Sequence, residues 1–223
     1  MSAAAISSDF LPPFQASVRP GAFNDNSRTR TAPGPALEFV VGDLTREASD
    51  AIVNPAGAGL VDLAIRRAAG PELLEAFHQS ASKLPTGKLS PGHAISTPGF
   101  DLSAGRVIHV DPPVYADDAV AAAKNLASAH TEALRLAREQ RLTSISFPAI
   151  GTGIHRYPPA LAAKIAVGTV ATELRAHAAP LAVRFVLSTP AMLELYAGAA
   201  RAHFSEAPRQ TDRGIVFSAS HRG

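Results

Sequence analysis

The sequence predicts an α/β domain built on a mixed, mostly parallel central sheet with helices on both faces. Two observations lead there. Short β-branched or apolar runs alternate along the chain with amphipathic stretches, the order expected of strand–helix–strand units. The composition, 46% hydrophobic against 18% charged, suits a sheet buried on both sides. At 223 residues the chain has room for one domain of the usual ~100–200 residues, with a surplus for tails.

The elements follow in order. Strands are expected at Leu37 to Val41, Ala51 to Val53, Ala94 to Thr97, Val107 to Val110, Ser144 to Phe147 and Leu181 to Leu187, each a run rich in β-branched or aromatic residues. Helices are expected at Val61 to Ala69, Glu72 to Ser82, Val120 to Glu139, Pro159 to Ala176 and Ala191 to Phe204. There the apolar residues recur at three- and four-residue spacing on alanine-rich backs. Residues 1–35, rich in Ser, Pro, Ala, Asn and Arg, show neither period and read as a disordered N-terminal tail. The domain is expected over 36–205, and 206–223 as a polar C-terminal extension whose Gly214 to Ser218 run adds an edge strand.

Several function classes fall away. The chain has no cysteine, which removes disulfides, thiolate zinc sites and a cysteine nucleophile. No metal or cofactor is expected. The start lacks the basic residues and apolar run of a secretory signal, and no stretch approaches the ~18 apolar residues of a membrane span. The expected location is therefore the cytoplasm, without a membrane partner. The net charge of +2 sits in the tails: Arg19, Arg28 and Arg30 against Asp9 and Asp25 give +1, and Arg209, Arg213 and Arg222 against Asp212 give +2, leaving about −1 for 36–208. Direct nucleic-acid binding is not expected of such a domain. The sequence carries no signal for oligomeric state.

In parallel sheets ligands bind beyond the carboxyl ends of the strands, so the residues after each strand matter most. After the first comes Gly42-Asp43-Leu44-Thr45. The Asp43 carboxylate can accept from an amino group, or simply cap a turn. After the second comes Asn54-Pro55-Ala56-Gly57-Ala58-Gly59-Leu60-Val61-Asp62, where small residues let a ligand approach and Asn54 and Asp62 can bond sugar hydroxyls. Asp62 at a helix start is equally explained by the helix dipole. After the fifth comes Pro148-Ala149-Ile150-Gly151-Thr152-Gly153-Ile154, two glycines about a threonine just ahead of a helix. Unpaired amides at such a place make an anion site without lysine. The loop is neither GxxxxGK[ST] nor GxGxxG, so nothing supports ATP hydrolysis or nicotinamide redox.

Taken together and in order, these segments resemble the macrodomain family. Gly42-Asp43-Leu44-Thr45, Asp50-Ala51-Ile52-Val53-Asn54, Val61-Asp62 and Ala68-Ala69-Gly70-Pro71 are similar to its first half. Pro85-Thr86-Gly87, Thr97-Pro98-Gly99-Phe100, Val107-Ile108-His109 and Phe147 to Ile154 with Tyr157-Pro158 are similar to its second. The resemblance covers roughly Leu37 to Phe204. It implies a three-layer α/β/α macrodomain-like fold and, as partner, ADP-ribose or an ADP-ribosylated macromolecule. Asp43 would meet the adenine amino group and Leu44 would offer its backbone amide. Gly151, Thr152, Gly153 and Ile154 would enclose the diphosphate. Asn54, Gly57 and His155 would lie toward the distal ribose.

The resemblance also fails at a definite place. Hydrolytic macrodomains usually read Asn-Ala-Ala-Asn, a linker, a glycine run and Val-Asp-Gly. Here Gly57 stands at the second Asn position and only Ala58-Gly59-Leu60 precedes Val61-Asp62, about five residues short. Asp62 keeps the register of the family's water-activating aspartate. His155, where many relatives carry an aromatic residue, can pack on the sugar or act with Asp62 as acid or base. After the last strand Ser188-Thr189-Pro190 stands where relatives often offer a ring to adenine. His109, alone in an apolar strand, is expected to be a buried, hydrogen-bonded structural residue. Three functions remain open: a reader that binds ADP-ribose without cleaving it, a mono-ADP-ribosyl hydrolase using Asp62 with or without His155, and an interaction scaffold with a degenerate pocket.

Overall fold

A computed structural model describes residues 36–57, 59–91, 93–115, 118–177, 181–204 and 206–218. The N-terminal tail expected over residues 1–35 lies outside the described residues. Eight strands form one sheet: β1 Ala36–Val41, β2 Ala51–Pro55, β3 Ala94–Pro98, β4 Arg106–Val110, β5 Ser144–Phe147, β6 Ala182–Leu187, β7 Arg209–Gln210 and β8 Gly214–Ser218. Their spatial order is β3-β4-β2-β5-β6-β1-β8-β7. The five inner strands β4-β2-β5-β6-β1 run parallel, whereas β3 and β8 are antiparallel to their neighbours. The sheet is thus mixed and mostly parallel, as expected.

Helices α1 Leu60–Ala69 and α2 Glu72–Ser82 cover one face, and α3 Ala119–Glu139, α4 Pro159–Ala176 and α5 Pro190–Ala200 cover the other. Strand alternation explains the two layers. Leu37 and Phe39 pack toward α3–α5 while Val40 packs toward α1, and Val53 and Ile52 divide the same way. Local chemistry sets the helix starts. Thr189 caps α5 by accepting from the Met192 amide, with Pro190 in the first turn, and Asp118 caps α3 by accepting from Ala121. The expected last helix runs on to Phe204, but α5 ends at Ala200 and a turn follows.

Polar contacts hold the strand ends in place. The Asp50 carboxylate accepts from the Thr143 amide and hydroxyl, both at 2.7 Å, and from the Ser144 amide at 3.1 Å, which locks the start of β2 to that of β5. Arg184 on β6 pairs with Glu38 on β1 and with Glu47, which follows the first post-strand turn. The segment read as a polar extension carries β7 and β8. β8 does not form the sheet's edge as expected: it lies between β1 and β7, with Phe217 buried edge-on against Phe39 at 5.8 Å. A Cβ on Gly214 would come within 1.9 Å of the Phe39 carbonyl oxygen, so glycine alone fits that pairing.

Candidate functional site

Because β2, β5, β6 and β1 are consecutive parallel neighbours, the loops after them emerge side by side. Next to β1, residues Leu44–Arg46 form one 3-10 turn capped by Asp43. Its Oδ1 accepts from the Thr45 amide at 2.9 Å and hydroxyl at 2.7 Å. Those bonds hold the carboxyl below its usual pKa, with a smaller contribution from Arg46. Asp43 is therefore a turn cap and, being half-exposed, also an ionised acceptor at the cleft. The Leu44 side chain is buried, while its amide meets no intramolecular acceptor among the described residues. Ser188 and Thr189, both exposed, follow β6.

After β5, the loop turns at Gly151, whose φ of 82° favours glycine. Tyr157 closes the turn, its amide donating to the Gly151 carbonyl at 2.9 Å. Thr152 points its hydroxyl back to the Ala149 carbonyl at 2.9 Å. The amides of Gly151, Gly153, Ile154 and His155 meet no acceptor among the described residues. Gly153 and Ile154 are exposed. Four such donors in five residues, just ahead of α4, form the concave arrangement that attracts anions.

After β2 the chemistry turns inward. Asn54 and Asp62, expected to face a sugar, are each 1% exposed. Asn54 Nδ2 donates to Asp62 Oδ1 at 2.7 Å and to His109 Nδ1 at 3.2 Å, and His109 Nε2 lies 2.8 Å from the Thr97 hydroxyl. Since Asn54 supplies the proton to Nδ1, the His109 proton resides on Nε2 and goes to Thr97. Burial, with Arg66 nearby, pushes His109 down to about 3, so the ring is a neutral acceptor, the structural role expected of it. Asp62 Oδ2 lies 2.7 Å from Arg66 Nη2 in an ion pair whose angle is not that of a hydrogen bond. The same Nη2 donates to the Gly57 carbonyl at 3.3 Å. Asn54 Oδ1 is buried without a hydrogen-bond partner.

His155 sits elsewhere in this arrangement. Its ring lies beside Gly57, where a Cβ would come within 4.0 Å of Cε1, and Gly59 similarly approaches Ile154. Gly57 and Gly59 of the shortened loop thus lie close to the end of the Gly151–Ile154 loop. No ion pair joins Asp62 to His155 among the described residues. His155 lies near Asp111 instead, whose carboxyl is raised above its usual pKa by burial, with His155 and Lys88 opposing that shift. Reading along the sequence did not single out Arg66, Thr97 or Asp111. Arg66 had a signal, standing four residues after Asp62 on one helix face, whereas Thr97 meets His109 only through the register of β3 with β4.

The Macro domain family model matches residues 53–166. An O-acetyl-ADP-ribose deacetylase of Enterobacter sp. (strain 638) is 42% identical over 167 residues, covering 73% of this chain and 92% of the relative. This chain belongs to the macrodomain family. The enzyme of the same name from Salmonella typhimurium (strain LT2) is 42% identical over 72% of this chain and 92% of its own. Among solved structures, the Oceanobacillus iheyensis macrodomain with ADP superposes with a TM-score of 0.72 at 36% identity, covering 76% of this chain and 92% of that one. The Trypanosoma brucei macrodomain in complex with ADP gives 0.65 at 30% identity, covering 73% and 68%. The macrodomain fold expected from the sequence is therefore the fold observed. No described helix is long and apolar enough to cross a membrane.

Proposed function

We propose that this macrodomain binds ADP-ribose, free or attached to a macromolecule, across the ends of β1, β5 and β2. The observation that carries the reading is the set of uncommitted amides from Gly151 to His155. Charge-assisted bonds from such donors to a diphosphate are roughly twice as strong as neutral ones. Asp43 would take the adenine amino group and the Leu44 amide an adjoining acceptor. Gly151, Thr152, Gly153 and Ile154 would enclose the diphosphate. Gly57 and His155 would border the distal ribose, with Asn54 and Asp62 beneath it. The ADP named in two structural relatives comprises the adenosine and diphosphate this half would hold. We take the folded unit as 36–218, since β8 is part of the sheet. Titrating ADP-ribose by calorimetry tests the reading, and absence of heat at high micromolar ligand would sink it.

A second reading is hydrolysis, favoured by the name of the curated relatives and by the presence of Asp62. O-acetyl-ADP-ribose is then the substrate to try, alongside mono-ADP-ribosylated protein. Equal product release by wild type and Asp62→Ala would remove Asp62 from any mechanism. The inward partners of Asp62 favour binding over cleavage.

A further inference from the structure

Arg66 lines two adjoining spaces. One is a small cavity of about 10 Å³ among Asn54, Asp62, His109, Phe77 and Leu73, and the other an outer cavity of about 330 Å³ bordered by Gly57, His78, Lys88 and Asp111. The inner one is about the size of a single water. Two of its lining residues carry buried oxygens that lack a hydrogen-bond partner, Asn54 Oδ1 and Asp62 Oδ2. One water donating to both would satisfy them. The guanidinium of Arg66, one-third exposed, stands at the boundary, 2.7 Å from Asp62 and 3.3 Å from the Gly57 carbonyl.

We propose that Arg66 is a positioning residue that holds the Asp62 carboxylate inward and ties the shortened loop down at Gly57, separating the water-sized chamber from the outer cavity and keeping this macrodomain in a non-cleaving arrangement. Three features argue for it. The Asp62 carboxylate is 1% exposed, its Oδ2 faces the Arg66 guanidinium at 2.7 Å, and Asp62 does not line the outer cavity. The same nitrogen contacts both the carboxylate and the loop, so neither moves without the other. Asn54, bonded to His109, which in turn meets Thr97, holds the opposite oxygen, and among the described residues Arg66 is the ion-pair partner of Asp62. The proposal rests on the reading that the cleft binds ADP-ribose.

Removing the guanidinium should free Asp62 to work on an ester carried by the distal ribose. Water would add to the acetyl carbonyl carbon while Asp62 takes its proton. The ester C–O bond then breaks and the ribose oxygen receives that proton, giving ADP-ribose and acetic acid, which loses its remaining proton to solvent as acetate. The test measures acetate release from O-acetyl-ADP-ribose by wild type, Arg66→Met, Arg66→Lys and Arg66→Met with Asp62→Asn. General-base help is worth about 10²–10⁴-fold. The expected result is a kcat for Arg66→Met at least about tenfold above wild type with KM little changed, Arg66→Lys close to wild type, and the gain abolished by Asp62→Asn. A folded Arg66→Met no faster than wild type overturns the proposal, and so does a gain that survives Asp62→Asn. Should Arg66→Met fail to fold, the wild type crystallised with ADP-ribose decides: Arg66 still paired with Asp62 supports the proposal, and Asp62 released toward the ribose overturns it. Wild type that binds no ADP-ribose by calorimetry instead sinks the binding reading, a result separable from a missing gain in kcat.

Discussion

The loop after β5 and the loop after β2 lie close together, Gly57 near His155 and Gly59 near Ile154, yet they are built in opposite senses. The first leaves its backbone donors uncommitted and needs few side chains. The second commits its functional side chains to one another, in a line from Thr97 through His109, Asn54 and Asp62 to Arg66. One half leaves backbone amides without an acceptor among the described residues, whereas the other already holds its charges in internal contacts. A cleft of this kind can bind tightly at one end without performing chemistry at the other.

Acid should have the largest effect, on the inward half through His109 and on the opposite face through His130 of α3, which bonds the Leu126 carbonyl at 2.8 Å. His109 and His130 are buried and neutral, at about 3 and about 4, both lowered chiefly by burial. Their folded values lie below the unfolded value near 6.5, so only the unfolded chain binds these protons between pH 6.5 and 4. Stability is therefore full above pH 6.5 and is lost as pH falls through that window, by about 4 kcal/mol for the two together at pH 5. Protonating His109 also removes the acceptor for Asn54. Unfolding curves at pH 7.5 and pH 5 check this, and equal stability at both would contradict it.

Asn54→Leu should cost about 3 kcal/mol, because it strips a buried carboxylate of a partner and leaves His109 Nδ1 unpaired. That corresponds to a fall in Tm of about 6–12 °C, and a fall below about 2 °C would show the line of contacts to be dispensable. Gly153→Glu probes the outward half. No atom lies within 4 Å of a Cβ there, so the fold should be untouched. ADP-ribose affinity should nonetheless drop about a hundredfold or more from like-charge repulsion. Unchanged affinity would move the diphosphate away from this loop. The smallest effect belongs to Asp43→Ala, which loses a cap worth about 1 kcal/mol. If Asp43 also holds adenine, affinity falls about tenfold as well, and a Tm change without an affinity change would make it a cap alone.

Much of this was legible before any coordinates. The strands and helices followed from apolar spacing, and the loop Gly151–Ile154 declared itself because glycines ahead of a helix leave amides free whatever surrounds them. The cap role of Asp43 was readable because its bond is local, only two residues away. The place of β8 was less so. A polar stretch from Glu206 to Arg213 hides the fact that Ile215 and Phe217 complete the core beside Phe39.

What the sequence by itself determined was the fold, the family and the place of the loop Gly151 to Ile154 ahead of α4, since the elements follow local spacing, the family an ordered set of short motifs, and the loop a few consecutive residues. Only the tertiary structure decided which way the ribose side faces. Asn54 and Asp62 look like sugar ligands when read along the chain. They became the middle of a buried network because β4 pairs with β2 in the register that sets His109 against Asn54, and β3 with β4 in the register that brings Thr97 to His109. Arg66, one turn on in α1, closes that network at the solvent side.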